Sequence, residues 1–203
     1  MSHRLRILTF IACAVACSAP PRPGTQRASA RQEVERSSVL PPPYDSLMDT
    51  SRWVGWRTSA FVLRHPAGAT QVPDTDRFSG FVGTSLRWDF TDNRWLALAI
   101  AQVPATSAPS LKDFVDSVRH ARNADLNPDW RLAPATRVLV SHYPALEMRP
   151  DCGDCVAYEF YVQLPRTWLV ISFSLEQSLP YTYEEQEQLY RRIIANLEGE
   201  PRN

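Results

Sequence analysis

Val156-Ala157-Tyr158-Glu159-Phe160-Tyr161-Val162-Gln163-Leu164-Pro165-Arg166-Thr167-Trp168-Leu169-Val170-Ile171-Ser172-Phe173-Ser174-Leu175 is the stretch on which the fold turns. Val156, Tyr158, Phe160, Val162 and Leu164 alternate with Ala157, Glu159, Tyr161 and Gln163, the two-residue period of a strand. Pro165-Arg166 makes a tight turn, after which Leu169, Ile171, Phe173 and Leu175 share one face. A connection this short joins only antiparallel neighbours.

Upstream, residues 144–149 can pair with 156–164, turning through Asp151-Cys152-Gly153-Asp154, and Thr136 to Val140 is β-branched and apolar. Further back, Leu86, Trp88 and Phe90 alternate with Ser85, Arg87 and Asp89, and Thr91-Asp92-Asn93-Arg94 makes a turn. The strand that follows has Leu96, Leu98 and Ile100 on one face, with Trp95, Ala97, Ala99 and Ala101 on the other. Both faces are apolar, which predicts an interior position. Residues 59–64 form the first predicted strand, and 65–78, with Pro66, Gly68, Pro73, Asp74 and Asp76, read as a loop. Trp88, Trp95 and Trp168 fall on strands and are expected in the core.

Two segments have helical period. Ser110 is an N-cap with Asp113 three residues on, followed by the stripe Leu111, Phe114, Val115 and Val118. Thr182-x-x-Glu185 is a capping box, Leu189, Tyr190, Ile193, Ile194 and Leu197 form a second stripe, and Gly199 with Pro201 stops it. The expected fold is α+β, an antiparallel sheet of five to six strands packed with two amphipathic helices.

The N-terminus reads as an address. Arg4 and Arg6 precede the uncharged run Ile7 to Ala16, the length of a signal-peptide core and about half of the ~20 residues that span a bilayer. Ala14-Val15-Ala16-Cys17 resembles the lipobox of bacterial lipoproteins, although Ala14 stands where Leu is preferred. The resemblance implies export and a lipid on Cys17. The alternative is an ordinary secretory cleavage site with Cys17 incidental. Residues 18–43 carry Pro20, Pro21, Pro23, Pro41, Pro42 and Pro43 and no aromatic residue, so they cannot offset their own ordering entropy. The expected organisation is a signal peptide over 1–16, a disordered Pro-rich linker over 17–44, one globular domain over 45–198 and a tail over 199–203.

A second resemblance lies in the domain. Phe61-Val62-Leu63-Arg64-His65-Pro66, a long hairpin, a helix built on Leu111-x-x-Phe114, a strand opening Tyr143-Pro144-Ala145, a two-strand meander and a helix ending Ile194-Ala195-Asn196-Leu197 follow in order. This order resembles the PsbP-like fold, named for a photosystem II extrinsic protein and shared by many bacterial lipoproteins. Gly often stands in that family where this chain has Tyr143. The resemblance implies an α/β/α sandwich that serves as a binding or accessory module, with no catalytic residues to carry over.

Charge and motifs narrow the chemistry. The 22 basic and 22 acidic residues cancel, so nothing global attracts nucleic acid. Lys112 is the only lysine, and the arginines are scattered. Cys152-Gly153-Asp154-Cys155 has three readings. A dithiol oxidoreductase needs its first cysteine at a helix N-terminus, whereas a strand pattern follows it here. Half a zinc site needs two more ligands, and His65, His120 and His142 have no paired spacing. A small disulfide of Cys152 with Cys155 suits an oxidising compartment. No G-x-S-x-G elbow or phosphate-cradling glycine loop occurs among the 7 glycines. Trp53, Trp56 and Arg57 are candidate binding residues, Trp and Arg being typical anchors of interfaces, unless the two rings simply cover one end of the sheet. The expectation is therefore a non-enzymatic exported module, membrane-anchored on the periplasmic or extracellular side. It would bind an envelope protein or small ligand, with no cofactor and no nucleic acid. A thiol oxidoreductase using the CGDC motif is the alternative.

Overall fold

The computed structural model describes residues 41–75, 82–90, 94–124, 132–150 and 156–199. Its framework is a seven-stranded antiparallel sheet in the order β3-β4-β5-β9-β8-β7-β6, formed by β3 (Thr70–Thr75), β4 (Val82–Asp89), β5 (Trp95–Pro104), β6 (Thr136–Val140), β7 (Tyr143–Met148), β8 (Val156–Gln163) and β9 (Thr167–Leu175). A separate three-stranded sheet joins β1 (Trp53–Arg57), β2 (Phe61–Pro66) and β10 (Leu197–Gly199), with β2 in the middle. The helices are α1 (Tyr44–Met48), α2 (Leu111–Ala124) and α3 (Tyr183–Ile194).

The protein is α+β with antiparallel sheets, but it has seven strands plus three where five to six were expected. Each of the extra strands hides its pattern. Trp53 and Trp56 of β1 are both buried at a spacing of three, which breaks the two-residue period. The predicted loop after Arg64 instead holds the end of β2 and all of β3. Pro73 is tolerated there because β3 is an edge strand, where one missing N–H donor costs least. Gly68, left-handed at φ 89°, makes the turn between them. Leu197 and Gly199 belong to β10 rather than to a helix and a tail, because α3 stops at Ile194. At the other end α1 opens at Tyr44, inside the expected linker, and Tyr181 Oη donates to Pro42 O at 2.6 Å. Burial and then the Glu185 carboxylate push the Tyr181 phenol up to about 12, so it remains a donor.

The two faces of the large sheet bury different partners. On one, Leu86, Leu96, Leu98, Ile100, Phe160, Ile171 and Phe173 pack with the small sheet and with Leu189, Tyr190, Ile193 and Ile194 of α3. Each buried aliphatic or aromatic side chain contributes about 1.5–3 kcal/mol. Tyr190 stacks on Phe173 at 4.3 Å, which stacks in turn on Tyr158 at 5.0 Å. The capping box that starts α3 is complete: Thr182 Oγ1 accepts from Glu185 N at 3.2 Å, and Glu185 Oε2 accepts from Thr182 N at 2.7 Å.

On the other face α2 lays Leu111, Phe114 and Val115 over Ala101, Val103, Tyr161, Trp168 and Val170. Ala101 is the one alanine of the β5 row in this core, and Phe114 meets the Trp168 ring at 5.1 Å. Ser110 caps this helix, its Oγ accepting from Asp113 N at 3.1 Å. Trp95 corrects the expectation that all strand tryptophans are core. It is 41% exposed, with the Arg87 guanidinium 4.2 Å over its ring.

Candidate functional site

The helix that covers the second face is shorter than the sheet beneath it is wide. Where its first turn meets the β6–β7 hairpin, the two elements diverge and leave an open cleft of about 580 Å³. That lies inside the ~300–1,000 Å³ range of small-molecule sites. The floor comes from β7, through Pro144 and Leu146, and from Gln163 at the end of β8. One wall is the N-terminal turn of α2. The other is β6, which forms the sheet's outer edge.

Register decides which β6 side chains reach the cleft. Arg137 lies opposite Leu146 and Leu139 opposite Pro144, so Arg137 and Leu139 share the face that α2 covers. Leu139 is 71% exposed, the largest exposure of any sizeable apolar residue described. The turn that aims the hairpin is two residues long, with Ser141 left-handed at φ 56°.

The electrostatics of the cleft are one-sided. Lys112 and Arg137 line it, and no acidic side chain does so among the described residues. Lys112 is bonded one turn on to Asp116 and holds that carboxyl below the usual carboxylate range. Arg137 makes no ion pair or hydrogen bond among the described residues. Ser110 is committed to its cap, also donating to Asp113 Oδ2 at 2.7 Å, and no histidine lines the cleft.

Two polar clusters elsewhere pair their charges among themselves, although Arg122 Nη2 is buried without a hydrogen-bond partner among the described residues. Beneath the far end of α2, Arg122 Nη1 donates to both oxygens of Glu159 at 2.9 Å, and Tyr161 Oη donates to Glu159 Oε2 at 2.6 Å. Glu159 is 1% exposed, so this pair stands inside the protein. Where β7 ends and β8 begins, Arg191 bridges Glu187 at 2.7 Å and Glu147 at 3.3 Å, Arg149 reaches Glu147 at 3.0 Å, and Tyr158 Oη donates to Glu187 at 2.8 Å. Burial opposes ionisation of Glu187, but the bonds from Arg191 and Tyr158 outweigh it and hold the carboxyl below its ordinary value. Two cations meet two carboxylates there, which leaves no net charge to offer a ligand.

The sequence-predicted residues fall as follows. Cys17, Cys152 and Cys155 lie outside the described residues; β7 ends at Met148 and β8 begins at Val156, so the last two fall in the connection between these paired strands. Trp53 and Trp56 are core: they are 6% and 8% exposed, Trp53 Nε1 donates to Leu47 O at 2.8 Å, and Trp56 packs edge-on against Phe61 at 5.2 Å. Rings so placed offer no surface to a partner, and only Arg57 of that trio is exposed. The histidines are dispersed. His65 is buried against Trp88, His120 is on α2, and His142 sits in the β6–β7 turn. Among the described residues no three His, Cys, Asp or Glu side chains form a group that could hold a metal, and no helix is long and apolar enough to cross a membrane.

Sequence reasoning missed the cleft. Its one signal was the alternation of Arg137 and Leu139 within a segment read simply as apolar, a mixed face unsuited to a core.

No family model matches the chain, and no curated protein matches it. A solved crystal structure from Bacteroides thetaiotaomicron VPI-5482, at 1.50 Å resolution, is similar over 70% of this chain and 45% of its own, with 10% identity and a TM-score of 0.42. The chain thus spans a little under half the length of that protein, a likeness that carries no functional argument.

Proposed function

We propose that this chain is a non-enzymatic, extracytoplasmic lipoprotein. In this reading Cys17 carries the lipid, Cys152 and Cys155 close a small disulfide, and the domain is a PsbP-like α/β/α sandwich serving as a binding or accessory module at the cell envelope. The observation that carries the binding role is the cleft between α2 and the β6–β7 hairpin. It combines an apolar floor, a mostly exposed leucine and two cations, which is the mixture that orients and retains a ligand. Its hydroxyl, Ser110, is bonded within its own helix cap, so it stands as part of a wall and not as a nucleophile.

The test is an amide chemical-shift screen of the full chain, carrying Cys17→Ser so that no lipid interferes, against a mixed set of small molecules. Hits should perturb Lys112, Arg137, Leu139 and Gln163 together. A screen whose hits all map elsewhere, or that has none, rejects the cleft as the binding site. Mass measurement of the mature N-terminus, with and without reductant, reports the Cys17 lipid and the Cys152–Cys155 bond. Turnover of a model disulfide that Cys152→Ser abolishes would replace this reading with the oxidoreductase.

A further inference from the structure

We infer that the cleft takes a single-chain amphiphile with an anionic head, of the chemical class of a straight-chain carboxylic acid. The inference rests on the binding role proposed for the cleft and names the ligand. Three observations carry it.

The first is charge. Every ionisable side chain lining the cleft is a cation, and Arg137 has no counter-ion among the described residues. Its guanidinium can present two parallel N–H donors to a carboxylate, a geometry that an ammonium cannot copy. Asp116 already bonds to Lys112, so Lys112 adds a screened second charge and Arg137 is the residue that fixes the head.

The second is the apolar run beside it. Arg137 and Leu139 are successive residues on one face of β6, opposite Leu146 and Pro144 of β7. A head bonded to Arg137 therefore has an apolar track starting at the next side chain along the strand. Leu139 is 71% exposed, and covering it would bury surface that the protein alone leaves in water. A purely polar anion would leave this track uncovered, and a neutral hydrocarbon would leave Arg137 unmatched.

The third is size. At about 30 Å³ for each water-sized group, ~580 Å³ accommodates on the order of 20 such groups. That suits one alkyl chain with its head group.

The experiment is calorimetric titration of the full chain, carrying Cys17→Ser, with octanoate, decanoate and dodecanoate below their aggregation concentrations, with decanol as the neutral control. Saturable one-to-one binding is expected, tightening by up to roughly fourfold for each added methylene that the cleft covers. Arg137→Ala should weaken decanoate tenfold or more, as expected for losing a hydrogen bond to a charged group. Arg137→Lys should recover part of that loss, and Leu139→Ser should flatten the dependence on chain length without abolishing binding. Both positions are exposed on an edge strand, and an unchanged melting temperature confirms that each variant folds. Decanol binding as tightly as decanoate, or Arg137→Ala binding decanoate like the parent, overturns the inference. So does the absence of decanoate binding. If other compounds from the small-molecule screen still perturb the cleft residues in that case, the binding role survives and only the ligand class falls.

Discussion

The two faces of the large sheet are built from the same strands and end differently. The face under α3 and the small sheet is closed by continuous aromatic and aliphatic packing, with Tyr158, Phe173 and Tyr190 stacked through its middle. The face under α2 has one helix to cover it. Its core is smaller, and it opens at one end into the cleft. A face covered by two layers of elements can be sealed. One helix of 14 residues cannot cover seven strands, and the uncovered end becomes available surface. The division of labour follows, with one face holding the fold and the other carrying the site.

The largest expected effect comes from attacking the sealed face. Phe173→Ala removes the ring between Tyr158 and Tyr190 and leaves a cavity that the surrounding strands cannot close, at a cost of about 3–5 kcal/mol. Urea unfolding should show it as a lower midpoint at unchanged slope. A loss below about 1 kcal/mol would mean that this face is not the stabilising one.

Next is the buried pair on the α2 face. Glu159→Gln leaves the Arg122 guanidinium, only 16% exposed, without its carboxylate, and should cost about 3 kcal/mol. The triple variant Arg122→Met, Glu159→Leu and Tyr161→Phe removes both charges together with the buried hydroxyl that donates to Glu159, and should recover most of that loss, because the penalty lies in the unpaired ion rather than in the missing attraction. A triple variant as unstable as the single one would show that the network itself contributes the stability.

The smallest effect sharpens the comparison through pH. His65, at the seam between the small sheet and the large one, is 4% exposed, and its Nδ1 lies 2.8 Å from Pro66 O. Burial lowers its proton affinity below the ordinary value near 6.5, against a smaller opposing push from the Pro66 carbonyl. The unfolded chain therefore takes up the proton first. The His65 contribution is complete above pH ~6.5 and is lost as the pH falls toward the lower, folded value. Denaturant midpoints between pH 5 and 8 should decline on the acid side, and His65→Phe should remove that part of the slope. A slope unchanged in His65→Phe would place its source elsewhere.

Much of the architecture is legible in local pattern. The alternation through Val156–Leu175, the Thr182–Glu185 box and the Leu111–Phe114–Val115 stripe each specify an element that appears where the pattern puts it. Such patterns are local because each strand or helix must present one face to a core, and its own sequence records which face. The short strands are different. β1 and β3 carry Gly55 and Pro73 within five and six residues, and they are strands because of what they lie beside.

The sequence by itself determined the α+β class, the antiparallel meander and the two principal helices, since periodicity and capping act over a few residues. The tertiary structure alone decided the division into seven strands and three, the burial of Trp53 and Trp56, the meeting of Arg122 with Glu159 across 37 positions, and the cleft. Each of these depends on how far one element extends over another. That is a property of relative position in space, and the chain records it only as the sum of all its contacts.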